Sequence, residues 1–171
     1  GATPGKEGQV VYVENIVRSD DGEVNTTAGT GSLCVKNLES ERTRRITGYS
    51  GTTSILNPML TTDGKYVIYT ANPSGRFKVY CVAVSGTVST PEACVLLQES
   101  GKDIKYAAVD AAFDGEKKKT GKVVYTVAES TSTTYLRVKD MATGRSSIVK
   151  DEAGLDIKHP VFVNSTTIAY V

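Results

Sequence analysis

Four short apolar segments of this chain share one pattern: GQVVYV (8–13), GKYVIYT (64–70), GKVVYT (121–126) and TTIAYV (166–171) each have tyrosine as the penultimate residue. The tyrosines, Tyr12, Tyr69, Tyr125 and Tyr170, are 57, 56 and 45 residues apart. Self-similarity at such a period marks a repeat architecture, in which each unit buries its apolar faces by stacking on its neighbours. A second run follows the first three tyrosine segments: LCVKNL (33–38), VYCVAV (79–84) and LRVKDM (136–141), so that Val35, Val82 and Val138 correspond. A third comes next, TRRIT (43–47), CVLL (94–97) and SIV (147–149), and a fourth precedes the tyrosine run, ILNPML (55–60), YAAVDAAF (106–113) and IKHPVFV (157–163).

These runs have strand character. The chain holds 21 Val, 21 Thr and 8 Ile against 8 Leu, and β-branched side chains suit pleated strands better than helices. No segment of ten or more residues keeps a helical period, and turn chemistry falls between the runs. Asp63-Gly64 and Asp114-Gly115 stand where a hairpin reverses, with Asp20-Asp21-Gly22 and Asn72-Pro73-Ser74-Gly75 in the loops that follow. The expectation is an all-β chain of about three to four four-stranded blades, a partial β-propeller, since propellers repeat four strands per blade in rings of about four to eight blades. The blade parts are 8–47, 52–98, 103–150 and 155–171, the first counted with three strands and the last with two, behind a flexible N-terminal tether over 1–7. A two-sheet β-sandwich of about twelve strands is the alternative fold, although sandwiches do not require equivalent strands to look alike.

The stretch LNPMLTTDGKYVIYTAN followed by KVYCVAVSG resembles the repeat of the TolB-like, WD-repeat-like β-propellers: a proline-containing strand, an Asp-Gly turn, Gly-Lys, then an apolar-aromatic strand. HPVFVNSTTIAYV keeps the order with Asn-Ser in place of Asp-Gly. Within that resemblance the structural repeat residues are Tyr12, Tyr69, Tyr125, Tyr170, Asp63 and Gly64. Departures are the missing proline in 106–113, the charged insertion at 116–120, and Leu60 where an aromatic residue is often found. The resemblance implies a non-catalytic protein-interaction or ligand-binding module of the periplasm or cell surface, active in envelope assembly or trafficking. Related propellers also form the non-catalytic half of prolyl-peptidase-like enzymes, which leaves as the alternative the propeller portion of a peptidase-like or glycan-processing enzyme whose catalytic residues lie outside these residues.

The residues with chemistry to offer favour no catalytic centre, cofactor or metal site. His159, the single histidine, is beside Pro160 on an expected inner strand, where it could line a channel, with no serine motif near it. Gly48-Tyr49-Ser50-Gly51 is not a nucleophile elbow, and Gly29-Thr30-Gly31 leads into a strand rather than a phosphate-binding helix. Asp20, Asp21 and Glu23 lack EF-hand spacing, while Asp110, Asp114, Asp140 and Asp156 follow turns and blade edges. Cys34, Cys81 and Cys94 suit small buried apolar groups, with a Cys81–Cys94 disulfide an option in an oxidising compartment.

Lys+Arg 20 against Asp+Glu 19 removes the charge signature of a nucleic-acid or anionic-membrane binder. The runs Lys117–Lys119 and Arg42, Arg44, Arg45 have no stacking aromatics between them and read as solvated loops and edge protection. Asn25-Thr26-Thr27 and Asn164-Ser165-Thr166 fit the N-glycosylation pattern. No apolar run is long enough for an integral membrane segment. The expected partner is a protein or extended ligand, with ring completion either by a second copy or by more of a longer chain.

Overall fold

The computed structural model describes residues 3–4, 8–14, 31–49, 53–88, 90–130, 133–151 and 154–171. They form three four-stranded antiparallel sheets and one two-stranded sheet, each built from strands consecutive in sequence. Sheet 1 runs β1 (Thr3–Pro4), β2 (Gln9–Glu14), β3 (Ser32–Asn37) and β4 (Thr43–Gly48). Sheet 2 runs β5 (Ile55–Leu60), β6 (Tyr66–Ala71), β7 (Lys78–Ala83) and β8 (Val95–Leu97), the last preceded by a 3-10 turn at Pro91–Cys94. Sheet 3 runs β9 (Ile104–Val109), β10 (Lys122–Ala128), β11 (Thr134–Asp140) and β12 (Ser146–Lys150). Sheet 4 pairs β13 (Val161–Phe162) with β14 (Ile168–Ala169). The chain is a partial propeller, not a two-sheet sandwich.

Sheets stack face to face, so the strands at the centre are covered on both sides and read as continuous apolar runs. Along β6 the alternation is visible in the packing: Val67 and Tyr69 join Val11, Leu33, Val35 and Ile46 of sheet 1, while Ile68 joins Ile104, Val109 and Val123 of sheet 3. Ala108, Val124 and Leu136 in turn meet Ile157, Phe162 and Ile168.

The structure differs from the sequence reading at the first blade and decides between the two options for the cysteines. The first blade has four strands rather than three, because Thr3–Pro4, placed within the tether, pairs antiparallel with Val10 and Val11. Cys81 and Cys94 are both free thiols. They lie on opposite faces of sheet 2, Cys81 in the core shared with sheet 3 and Cys94 against the core shared with sheet 1, so the sheet itself separates them.

Boundaries also moved. The inner strand expected over 106–113 is Ile104–Val109, because Asp110 turns the chain and accepts the Lys122 N–H at 3.0 Å, and Phe113 enters the core from the loop that follows. The stretch 157–163 keeps only Val161–Phe162 as strand, with Lys158 and Val171 exchanging backbone hydrogen bonds of 2.7 and 2.9 Å beyond it.

The turns are made by side chains that replace missing backbone partners. Asp63 Oδ1 accepts from the Thr61 hydroxyl at 2.6 Å and the Lys65 N–H at 3.0 Å, which holds its carboxyl below the usual range, and Gly64 takes the positive φ of 70°. Asn37 and Asp140, matched in LCVKNLESER and LRVKDMATGR, cap the same turn: Asn37 Oδ1 accepts from Glu39 and Ser40, Asp140 Oδ1 from Ala142 and Thr143. Asn164 Oδ1 accepts the Thr166 and Thr167 N–H groups, each at 2.9 Å, in the last hairpin.

The tyrosines differ by sheet. Tyr69 and Tyr125 are 0% and 1% exposed, Tyr12 is partly buried with its hydroxyl on Glu14, and Tyr170 is 44% exposed. Among the described residues no helix is long and apolar enough to cross a membrane.

Candidate functional site

The first strands of successive sheets lie side by side, β5 against β9 and β9 against β13. Three residues take equivalent places on β5, on β9 and on the segment leading into β13, each two positions past a buried isoleucine: Asn57 after Ile55, Tyr106 after Ile104 and His159 after Ile157. The three side chains meet. The Asn57 amide donates from Nδ2 to the Ala107 carbonyl at 3.1 Å, which aims Oδ1 toward His159 Nδ1 at 3.5 Å. The imidazole lies on the Tyr106 ring with centroids 4.5 Å apart and a tilt of 54°. Asn57 and Tyr106 are half-buried and His159 is exposed, so the cluster forms part of a solvent-reaching wall.

Local sequence explains how this wall is built. Pro58 and Pro160 follow Asn57 and His159, and proline has no N–H to give a ladder. The β5–β6 register slips between Leu56 and Met59, leaving a bulge where the missing donor costs nothing. Asn57 and His159 take positive φ values of 48° and 47°, a region few side chains adopt and in which asparagine and histidine are enriched. Such backbone costs about 1–3 kcal/mol at each place and persists only when its surroundings enforce it. In β9, where Ala107 replaces proline, the slip falls one step earlier, opposite Thr126 and Val127.

A buried polar group stands behind the wall. Thr126 pairs with Tyr106 across the ladder, and its buried hydroxyl has no hydrogen-bond partner among the described residues. Its counterpart Thr70 donates to the Lys105 carbonyl of the next sheet at 2.8 Å. Buried hydroxyls are seldom left unpaired, because an unsatisfied one costs about 1–3 kcal/mol.

The wall offers amide, phenol and imidazole groups, with Lys105 and the Lys158–Asp156 pair (3.2 Å) on the same segments. That set can donate, accept and present an aromatic surface to a ligand. Elsewhere, burial pushes the Cys34 thiol up to about 11 and the Cys81 thiol up to about 12, the opposite of an activated nucleophile. Asp110 and Asp114 cap the loop before β10, Asp140 caps a turn and Asp156 pairs with Lys158, so these acids do not face one another across a cleft. Tyr49 Oη lies 3.0 Å from Tyr69 Oη, giving the Gly48-Tyr49 segment a packing role. Among the described residues no three His, Cys, Asp or Glu side chains converge as metal ligands would. Asp20, Asp21, Glu23, Gly29, Thr30, Asn25 and Ser50 lie outside the described residues.

From sequence, His159 reads as structural or solvent-exposed, with channel lining the lesser option, and Asn57 and Tyr106 read only as members of strands. The signal was present: ILNP, IKYA and IKHP align on their isoleucines and place all three in one column.

No family model matches the chain, and no curated protein matches it significantly. Solved structures do. TolB from Acinetobacter baumannii superposes with a TM-score of 0.64 at 19% identity, over 98% of this chain and 36% of that one. A puromycin-hydrolysing peptidase of Mycobacterium tuberculosis gives 0.66 at 15% identity, over 99% of this chain and 24% of that one. An oligogalacturonate lyase in complex with manganese gives 0.58 at 12% identity, over 94% and 43%. The chain spans less than half the length of each of these proteins. At these identities the likeness is one of fold, and the chain folds as a TolB-like β-propeller segment.

Proposed function

We propose that the chain is a non-catalytic interaction module that grips an extended ligand or protein segment at the inner-strand wall of Asn57, Tyr106 and His159. The observation that supports this reading is the convergence of three successive inner segments on one set of neutral hydrogen-bonding and aromatic groups, two of them, Asn57 and His159, on energetically costly positive-φ backbone. A braced amide, a phenol and an imidazole recognise the amide groups and side-chain faces of another chain. A cell-envelope setting, periplasmic or cell-surface, goes with the reading through the sequence resemblance. Under the second reading, favoured by the peptidase and lyase superpositions, the same wall belongs to the propeller part of a longer enzyme and screens what reaches a catalytic centre elsewhere.

Selection of a displayed peptide library on the purified chain tests the module. Binders are expected to lose about tenfold or more in affinity on Tyr106→Ala or His159→Ala, because residues at the centre of a recognition site carry most of its energy. Binders indifferent to both substitutions and to Asn57→Ala would overturn the assignment of the wall.

A further inference from the structure

The connection from the first to the second strand of sheet 3 is much longer than its counterparts. Val109 to Lys122 spans twelve intervening residues, where Leu60 to Tyr66 and Phe162 to Ile168 each span five. Slack loops of this length are uncommon, and insertions in one repeat of a solenoid or propeller often map to a binding face. This one is not slack. Phe113 is 7% exposed and sits in the core between sheets 2 and 3. Gly115 lies directly under the Tyr66 ring, with no room for a side chain, and its carbonyl receives the Cys81 thiol at 3.7 Å. Gly121, at φ 77°, is pressed on the Phe113 backbone and the Asp110 carboxylate, again with no room for a Cβ. The Thr120 hydroxyl ties back to Ala112 O at 3.0 Å, and the Lys118 N–H closes a turn on Asp114 O at 2.8 Å.

What the anchored loop presents is its tip, Glu116-Lys117-Lys118-Lys119. Lys117 and Lys119 are exposed, Lys118 is half-buried at a positive φ of 56°, and the Asp114 carboxylate is turned inward to accept the Glu116 and Lys117 N–H groups. Three lysines are thus carried on a rigid, strained turn, so that binding orders their side chains but needs no further ordering of the backbone beneath them. The sequence pattern alone reads as a solvated loop; the anchoring by Phe113, Gly115 and Gly121 is what changes that reading.

We infer that the 110–121 insertion is a docking element for an acidic polypeptide segment, engaged through Lys117, Lys118 and Lys119. Carboxylates spaced along an extended chain match three cations on consecutive residues of a narrow tip. A nucleic acid would call for stacking aromatics, and the one aromatic residue of the loop, Phe113, is buried. A membrane surface would call for a wider basic patch or an apolar residue to insert, and Glu116 stands within the tip instead. The site is separate from the inner-strand wall and does not depend on it.

Fluorescence anisotropy with a labelled oligoglutamate peptide provides the test. Replacing Lys117, Lys118 and Lys119 together by Gln should weaken binding about tenfold and flatten its salt dependence, while Arg145→Gln with Lys150→Gln on sheet 3 leaves it unchanged. Should the triple variant melt early, Lys119→Glu alone, at an exposed position, should still lower affinity. Equal binding by the lysine variants, an equal loss in the Arg145/Lys150 control, or tighter binding to phosphatidylserine vesicles than to oligoglutamate would each overturn the proposal.

Discussion

Sheets 2 and 3 solve the same packing problem with different chemistry. In both, the tyrosine of the second strand faces the preceding sheet and reaches the segment that links the two. In sheet 2 the arrangement is neutral and aromatic: Tyr69 stacks on Tyr80 with centroids 5.3 Å apart and 17° between planes, and its hydroxyl meets that of Tyr49 at 3.0 Å. In sheet 3 it is ionic: the Tyr125 hydroxyl donates to Glu99 at 3.0 Å, and Arg137, which stands across the ladder as Tyr80 does in sheet 2, donates to the same carboxylate at 2.8 Å. The tyrosine is the fixed part of the repeat and its partners vary. A partly buried hydroxyl needs one partner from the linker, and either a phenol or a carboxylate will serve.

The largest effect that tests this equivalence is truncation of the tyrosines. Tyr69→Ala and Tyr125→Ala should each cost about 3–5 kcal/mol in urea unfolding, as deletion of a large buried ring does. A cost below about 1 kcal/mol at either position would break the comparison.

Alkaline unfolding comes next. Burial raises both tyrosines above their ordinary value, Tyr69 by far the more, with Tyr49 adding to its rise; at Tyr125 the Ser146 and Arg137 contacts work against that of Glu99. A folded-state value above the unfolded one means stability that is intact below the unfolded value of about 10 and is lost as pH climbs toward the folded one. Tyr69→Phe should therefore flatten the loss of stability above about pH 10 more than Tyr125→Phe, in a pH series of thermal midpoints.

A smaller difference separates the partners. Glu99→Gln leaves Arg137, 25% exposed at its side chain, without its charge partner and should cost about 1–2 kcal/mol, discounted for that exposure and shrinking at about 1 M salt. Tyr49→Phe should cost about 1 kcal/mol with no salt dependence. Equal salt sensitivity would show that the two linkages are not the neutral and ionic versions of one brace.

The smallest effect concerns the matched turns of sheets 1 and 3. Glu41 has φ 56° where its counterpart Gly144 has 71°. Glu41→Gly should gain about 0.5–1 kcal/mol, the relief of strain less the added freedom of the unfolded chain, and Gly144→Ala should lose a similar amount.

Much of the architecture can be read from the residues themselves. The tyrosine runs, their partners and the Asp-Gly turns identify blades because period-2 packing and turn chemistry are local, and local rules act within ten or so residues. The short strand at Thr3–Pro4 was missed because two residues beside a glycine carry no alternation to read. The disulfide option failed for a different reason: spacing along the chain says nothing about which face of a sheet a cysteine occupies. At the candidate site, His159 stands out as the single histidine, while Asn57 and Tyr106 read only as members of the strand-like runs 55–60 and 106–113.

The sequence by itself determined that this chain is all-β, that its unit is a four-stranded repeat with tyrosine at a fixed place, and where most strands begin and end. Only the tertiary structure decided that Asn57 and His159, 102 residues apart, share a contact, that Glu99 serves Tyr125, and that the lysine-bearing insertion is pinned by Phe113 rather than free. The physical reason is the same in each case. Hydrogen bonding and side-chain alternation specify a sheet from its own residues, whereas contacts between sheets depend on how twisted blades stack around a common axis, and that geometry is set by the faces of all of them at once.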